Sequence, residues 1–196
     1  MAQNYDTEYF TSVIRSKLSD KRFRHSLAVS REAAALARLY GADVEKAGFA
    51  GLVHDIEKDT PGPEQLQTLE KYSIILDNVE KCSPKLWHAM AGAAVLEHEY
   101  GVTDSEVLCA VRYHTTARAG MSLLEKIIYL ADYVSEDRDY DGVGELRAVV
   151  HRSLEEGLRA AYDFSVTELV GKGAAIHLDT ARARNELICS HLTFGK

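Results

Sequence analysis

The sequence predicts an all-α fold, a single-domain helical bundle spanning residues 1–196. Three observations carry this. Runs that alternate apolar and polar residues, the mark of a half-buried strand, are almost absent. Helix start and stop signals recur along the whole chain. Proline occurs only 3 times in 196 residues, twice within one loop (Pro61-Gly62-Pro63), and no Gly/Ser linker, low-complexity tract or repeat divides the chain. That length suits one domain with one core.

The elements follow in order. A first long helix is predicted over Lys21–Tyr40, with Leu27, Ala34 and Leu36 on its apolar side and Gly41 ending it. Asp43 caps the next helix, and Glu45 sits in its first turn, where negative charge suits the helix dipole. This helix carries Ala47, Ala50, Gly51 and His54 on one face and is expected to end near Lys58. A shorter helix covers Pro63–Tyr72. Ser83-Pro84 reads as a hydroxyl cap followed by proline at the first helical position, opening a helix that runs to Tyr100 and stops at Gly101. Thr103-x-x-Glu106 and Ser122-x-x-Glu125 read as capping boxes, for helices ending near His114 and Ser135. After a turn at Gly142 and Gly144, one helix is expected over Glu145–Ala161, then a short one around Val166 and a last one after Asp179.

Composition narrows the function classes. Formal net charge is −7, so no overall basic footprint for a nucleic-acid duplex exists. A small anionic substrate would need a local cluster of Arg or Lys. Cys82, Cys109 and Cys189 are odd in number and form no CxxC, the usage expected of reduced thiols in a cytoplasmic protein. The polar N-terminus is not a signal peptide, and no apolar run approaches the roughly 18 residues of a membrane span. A homodimer is the default assembly for such a chain.

The chemistry is carried by five dispersed positions: His25, the pair His54-Asp55, His88, His114 and Asp132. Imidazole and carboxylate together form the ligand set of Fe, Mn, Co or Zn, with Mg a further alternative. The His-Asp dipeptide alone is a short motif of low specificity. Neighbours on a helix point about 100° apart, so both reach one ion only if it lies at the helix edge. Context strengthens the pair. Ala50 and Gly51 let another helix approach closely, and Asp132 lies in the apolar stretch IIYLADYV, where an unpaired carboxylate would be costly to bury. Each histidine alone has a simpler reading as a hydrogen-bonded core residue. His98, His151, His177 and His191 are read as non-ligands, His98 and His151 as solvated. Arg112 and Arg118 flank His114 as helix-end charges. Tyr113 and Tyr133 are read as core, with stacking on a base the alternative.

The order H…HD…H…H…D on successive helices resembles the HD-domain superfamily of metal-dependent phosphohydrolases. The strings RFRHSLAVS, AGLVHDIEKD, LWHAMAGA, YHTTARAGM, IIYLADYVSEDRDY and AIHLDT resemble its YqeK-type branch, over roughly Arg22–Thr180. That resemblance implies an all-α fold, bound iron, and symmetrical cleavage of diadenosine tetraphosphate to two ADP. It implies that His25, His54, Asp55 and Asp132 are metal ligands. It also implies that Arg22, His88, His114, Thr115 and Arg138 contact the phosphates, that Ala175, Ile176 and His177 border the nucleoside, and that Lys58 lies near the phosphates. The motif-bearing core then covers about residues 20–140, with the helices of 143–196 completing the nucleotide pocket. Two positions depart from the family: Asp141 and Leu178 stand where proline is usual, which leaves those loops freer.

A divalent metal generates hydroxide at neutral pH and polarises a phosphoryl oxygen, while Arg22, His88, His114 and Arg138 are candidates to hold the charge that builds on oxygen. Imidazoles are also candidate proton donors to the leaving phosphate. Two other readings stay open on the residues alone. One is a phosphohydrolase acting on a dNTP, a nucleoside monophosphate or a guanosine alarmone. The other is a non-catalytic nucleotide-binding module.

Overall fold

The computed structural model describes residues 5–190. Residues 1–4 of the polar N-terminal stretch, and His191, lie outside the described residues. Among the described residues there are eleven α-helices and no strand, as the sequence predicts: α1 (Thr7–Lys17), α2 (Asp20–Tyr40), α3 (Val44–Val53), α4 (Gly62–Lys71), α5 (Asn78–Lys81), α6 (Trp87–His98), α7 (Ser105–Tyr113), α8 (Leu123–Val134), α9 (Val143–Arg152), α10 (Leu154–Gly171) and α11 (Leu178–Ser190).

Local chemistry explains most boundaries. Gly41 takes the left-handed conformation (φ 77°) that closes α2. The Asp43 carboxylate accepts the Lys46 amide at the start of α3. Ser122 and Glu125 form the expected reciprocal box on α8.

Five expectations need correction. The helix holding His54 stops at Val53, not near Lys58, because residues 54–60 tighten into three-residue turns (Ile56 N–H to Val53 O, Lys58 N–H to Asp55 O, Thr60 N–H to Glu57 O). The Ser83-Pro84 start opens a 3-10 turn, Pro84–Leu86, with no side-chain cap from Ser83; α6 begins at Trp87. Asp104, not Thr103, caps α7, accepting the amides of Glu106 and Val107. The helix expected over Glu145–Ala161 is two helices, broken at Ser153, whose extended backbone (φ −152°, ψ 120°) and hydroxyl start α10; the region around Val166 simply continues α10. Two helices were not foreseen: α1, capped by Asp6, and α5, opened by an Asp77/Glu80 capping box.

The core is built around α3, which packs against α2, α7 and α8. Its residues Phe49, Ala50, Leu52 and Val53 are buried, as are Ile127, Ile128 and Leu130 of α8. Gly51 makes the closest approach possible: a Cβ there would lie 2.9 Å from the Val29 carbonyl oxygen of α2. A smaller cluster, Leu69, Trp87, Met90 and Ala91, joins α4 to α6. Burying these faces supplies the main driving force for the bundle, and it also brings the ends of α3 and α7 together beside α2 and α8.

A candidate metal centre

Four segments deliver the site. His25 comes from the first half of α2 and Asp132 from the last turn of α8. His54 and His114 are the residues just past the ends of α3 and α7. Both use the same local device: each Nδ1–H donates to the carbonyl three residues back, Gly51 O and Val111 O, at 2.7 Å in each case. The main chain thereby fixes the tautomer, and Nε2 of each ring is left with its lone pair facing inward. The rings meet edge to face, centroids 5.0 Å apart.

His54 and Asp55 diverge as consecutive residues on helical backbone do, and both reach the cluster because Asp132 and His25 lie at the edge between them. His54 Nε2 is 3.6 Å from Asp55 Oδ2 and 3.8 Å from Asp132 Oδ1. His25 Nε2 is 2.9 Å from Asp132 Oδ1, and His25 Nδ1 is 2.8 Å from Asp137 Oδ2. The turn itself is anchored: buried Glu57 pairs with Lys17 and accepts from the Thr60 hydroxyl, and Gln65 donates to the Glu57 and Thr60 carbonyls.

Two observations fit this cluster to a cation. His54 Nε2 and Asp55 Oδ1 are buried polar atoms without a hydrogen-bond partner, a costly state for both. One ligand atom from each of His25, His54 and Asp55 lies within 4.8 Å of the others, as do those of His54, His114 and Asp132. The electrostatics agree for His54 and the two carboxylates; at His25 burial would lower the pKa, but the Asp132 and Asp137 carboxylates outweigh it and raise it. Burial pushes the His54 pKa down to about 4, so the ring is neutral. Burial would raise Asp55, but His54, His114, His88 and Lys58 outweigh it and hold the carboxyl well below its usual range. Burial would likewise raise Asp132, yet Arg138 and His25 keep it ionised. Neutral imidazole and ionised carboxylate are the states that ligate metals.

Beyond the cluster lies a positive corner. His88 Nε2 is 3.1 Å from Asp55 Oδ1 and 3.2 Å from His114 Nε2, and Lys58 Nζ approaches His88 Nε2 to 3.0 Å. Burial lowers the His88 pKa to about 4, so its ring is neutral at pH 7. Arg22 lies 3.6 Å from Asp55 Oδ2. Arg138 donates through Nε to the Asp132 carbonyl (2.6 Å) and pairs through its guanidinium with the Asp132 carboxylate. A cavity of about 400 Å³ opens beside the centre; His114, Thr115, Asp132 and Arg138 form its polar side. The buried Thr115 hydroxyl has no partner.

The remaining sequence candidates sit elsewhere. Ala175 is exposed and Ile176 half-buried, and none of Ala175, Ile176 or His177 lines this cavity. His177 is buried; its Nδ1 accepts the Asp179 amide, so Nε2 carries the proton and faces Asp77 and Glu80 at 3.6 Å each. That tautomer has no lone pair to offer a metal from Nε2. His98 stacks on Tyr72 and His151 pairs with Glu32 at the surface, both away from the centre. Arg112 and Arg118 are half-buried in ion pairs with Glu80 and Glu125, rather than solvated, and flank the Tyr113 ring at 5.2 and 4.9 Å. Leu178, in place of proline, is the exposed first residue of α11, and Asp141 precedes Gly142 in the turn before α9.

The sequence reading missed Asp137 and Glu57. A polar Ser-Glu-Asp-Arg run directly after an apolar helix was the available signal for Asp137.

The chain is similar to known proteins in sequence and in fold. Residues 22–137 match the model of the HD domain. The chain is 35% identical over 178 residues to the symmetrical bis(5'-nucleosyl)-tetraphosphatase of Bacillus subtilis, covering 89% of this chain and 94% of that one. It is 34% identical over 173 residues to the protein of the same name from Staphylococcus aureus, covering 87% and 89%. A crystal structure from Clostridium acetobutylicum, described as a predicted HD superfamily hydrolase involved in NAD metabolism, superimposes with a TM-score of 0.92 at 37% identity, over 96% of this chain and all of that one. The chain therefore belongs to the HD-domain family and is homologous to the symmetrical bis(5'-nucleosyl)-tetraphosphatases.

Proposed function

We propose that this protein is a metal-dependent phosphohydrolase that cleaves diadenosine tetraphosphate symmetrically to two ADP. The observation that carries the reading is the buried, unpartnered His54 Nε2 facing the Asp55 and Asp132 carboxylates beside His25, with cationic groups on both flanks. The names of the relatives supply the substrate.

His25, His54, Asp55 and Asp132 are the residues that would hold the ion, iron being the first candidate and Mn, Co, Zn or Mg the alternatives. When bound, such an ion supplies Lewis acidity, lowering the pKa of water and drawing charge from a phosphoryl oxygen. The chain's own groups do the rest. Asp55 keeps one oxygen toward His88 and His114 and is positioned to orient a water for in-line attack. Arg22, Lys58 and Arg138 bracket the place where charge develops on phosphate oxygens, and Arg offers the planar fork that suits them. Thr115 adds a buried hydroxyl with a free bonding capacity. His88, neutral at pH 7, serves as a hydrogen-bonding partner rather than a standing positive charge.

Lys58 also bears on stoichiometry. Its ammonium lies 3.0 Å from His88 Nε2 and 3.7 Å from Asp55 Oδ1, where a second cation bound by Asp55, His88 and His114 would have to sit. This favours one ion per chain, with His88 and His114 left for substrate, over a second ion at Asp55, His88 and His114. A metal-to-protein ratio near two would overturn this. The cytoplasm is the fitting compartment for the three unpaired cysteines, and no described helix is long and apolar enough to cross a membrane.

The test is direct: incubate metal-loaded protein with diadenosine tetraphosphate and separate the products. ADP as sole product is expected. An AMP and ATP pair, or an inert dinucleotide with turnover of a dNTP, would sink the reading.

A further inference from the structure

Lys58 stands between two acidic residues that are tied to other helices. The Glu57 carboxylate pairs through Oε1 with Lys17, the last residue of α1, and accepts the Thr60 hydroxyl on Oε2 at 2.7 Å. The Asp59 carboxylate accepts the amide of Ser19, the cap of α2, at 2.8 Å. Lys58 itself reaches the centre, with Nζ 3.0 Å from His88 Nε2 and 3.7 Å from Asp55 Oδ1. The Glu57 side chain is only 3% exposed. A buried ion pair rarely adds net stability, because desolvation offsets the attraction. Stability alone therefore gives no reason to place one next to Lys58. Its partner helix α1 also precedes residues 22–137, the segment that matches the HD domain.

We propose that Glu57 is a positioning residue for the reaction: held by Lys17 of α1, it fixes the turn from which Lys58 reaches the phosphate-binding corner. The proposal rests on the phosphohydrolase reading above and extends the working machinery to a helix outside the HD match. Glu57 belongs to none of the candidate metal groups and does not line the cavity, so it acts through its neighbours. The connection is short. Glu57 and Lys58 share a peptide bond, and the Lys58 amide donates to the Asp55 carbonyl at 2.8 Å. Gln65 closes the turn by donating to the Glu57 and Thr60 carbonyls at 2.9 and 2.7 Å. Misplacing a reacting or charge-holding group by about 1 Å costs up to about 10²-fold in rate. The Asp59–Ser19 contact remains when the Glu57–Lys17 pair is lost, so the turn loosens without being released, and the expected loss is nearer tenfold.

The experiment uses the full-length protein loaded with Mn(II) and two readouts: kcat on diadenosine tetraphosphate, and affinity for inorganic pyrophosphate by titration calorimetry. Glu57→Gln keeps the shape and an acceptor for Thr60 but loses the charge that holds Lys17. It should lower kcat about tenfold and weaken pyrophosphate about fivefold. Lys17→Met breaks the same tie from the α1 side and should give losses of the same size, which keeps the test open if one variant does not fold. The deciding comparison repeats Glu57→Gln in protein that already carries Lys58→Met. If Glu57 acts through Lys58, neither readout should change there by more than about twofold. A merely structural role would lower both readouts by the same factor with or without Lys58, and that result would overturn the proposal, as would unchanged pyrophosphate affinity in the single variants. An inert dinucleotide together with a Lys58-dependent loss of pyrophosphate affinity would refute the reaction and leave the positioning role standing.

Discussion

Asp137 offers the sharpest test of how the centre is held. It is not one of the four proposed ligands, yet its Oδ2 is 2.8 Å from His25 Nδ1, and the Ser135 hydroxyl donates to its other oxygen at 2.7 Å. The carboxylate draws the Nδ1 proton and turns Nε2 toward Asp132, the face that a metal needs. Burial would raise the Asp137 pKa, but the Ser135 hydroxyl and His25 outweigh it, so the group is ionised at neutral pH. Partners of this kind are worth about 10- to 100-fold in metal affinity, or about 1.4–2.8 kcal/mol. The Asp137 side chain is 35% exposed, so solvent screening pulls the expectation toward the lower figure. Asp137→Ala should weaken Mn(II) binding about tenfold, and Asp137→Asn, whose amide oxygen still accepts from Nδ1–H, should lose less. Metal-stripped protein titrated against a competing chelator gives the affinity, and urea unfolding followed by circular dichroism verifies the fold. A natively stable Asp137→Ala variant with unaltered metal affinity would refute the reasoning. Equal losses in Asn and Ala would show that charge, not orientation, is what Asp137 contributes.

Three further outcomes are expected. Gly51→Ala should cost about 1–3 kcal/mol in urea unfolding, because the added methyl meets the α2 backbone at 2.9–3.1 Å; it should also displace His54, whose ring hangs from the Gly51 carbonyl. Lys58→Met should lower kcat about 10²- to 10³-fold, the usual cost of removing a positioned charge from a phosphoryl site, with metal content unchanged; retention of full kcat would remove Lys58 from the chemistry. The third concerns pH. Burial would raise the Asp104 pKa, but hydrogen bonds from Tyr5, Lys46 and the start of α7 overcome it and leave it lowered. A depressed folded value means that the stabilisation is complete above the unfolded pKa of about 3.9 and is lost as pH falls through the folded one. Asp104→Asn keeps the cap but loses the charge that faces the Tyr5 hydroxyl and Lys46, so its stability gap to wild type, about 1 kcal/mol at pH 7, should shrink on acidification below about pH 4; a gap that stays constant to about pH 2.5 would contradict this.

How much was legible in the sequence differs by kind of residue. The fold class could be read, because helix periodicity and caps are local; the residues alone offered His25, His54, Asp55, His88, His114 and Asp132 as candidates, and only the family resemblance singled out four of them. Element ends were less legible where two local signals competed. At Thr103-Asp104 both residues can cap, and the carboxylate won. At Ser153 a Ser-x-x-Glu pattern lay inside an unbroken helical period, and the hydroxyl's claim on the Glu156 amide split the helix. Asp137 showed only as one member of the polar run after α8, because its role depends on where the chain turns there, which is a tertiary fact.

The His-Asp pair itself resolves through the same distinction. On a continuing helix, adjacent side chains point about 100° apart, and the dipeptide cannot serve one ion without help. The help comes from the neighbours: His54 keeps helical backbone (φ −55°, ψ −36°), and α2 and α8 bring His25 and Asp132 to the edge that both residues of the pair face. α3 ends at Val53, and His54 and Asp55 enter the tight turns that Lys17, Thr60 and Gln65 anchor through Glu57. His114 repeats the device at the end of α7, with the same ring nitrogen on the same i−3 carbonyl. Both imidazoles are thus aimed by main chain that is itself buried core. Their geometry follows from the packing of α3 and α7, and a core substitution at Gly51 should reach the metal centre before any ligand is touched.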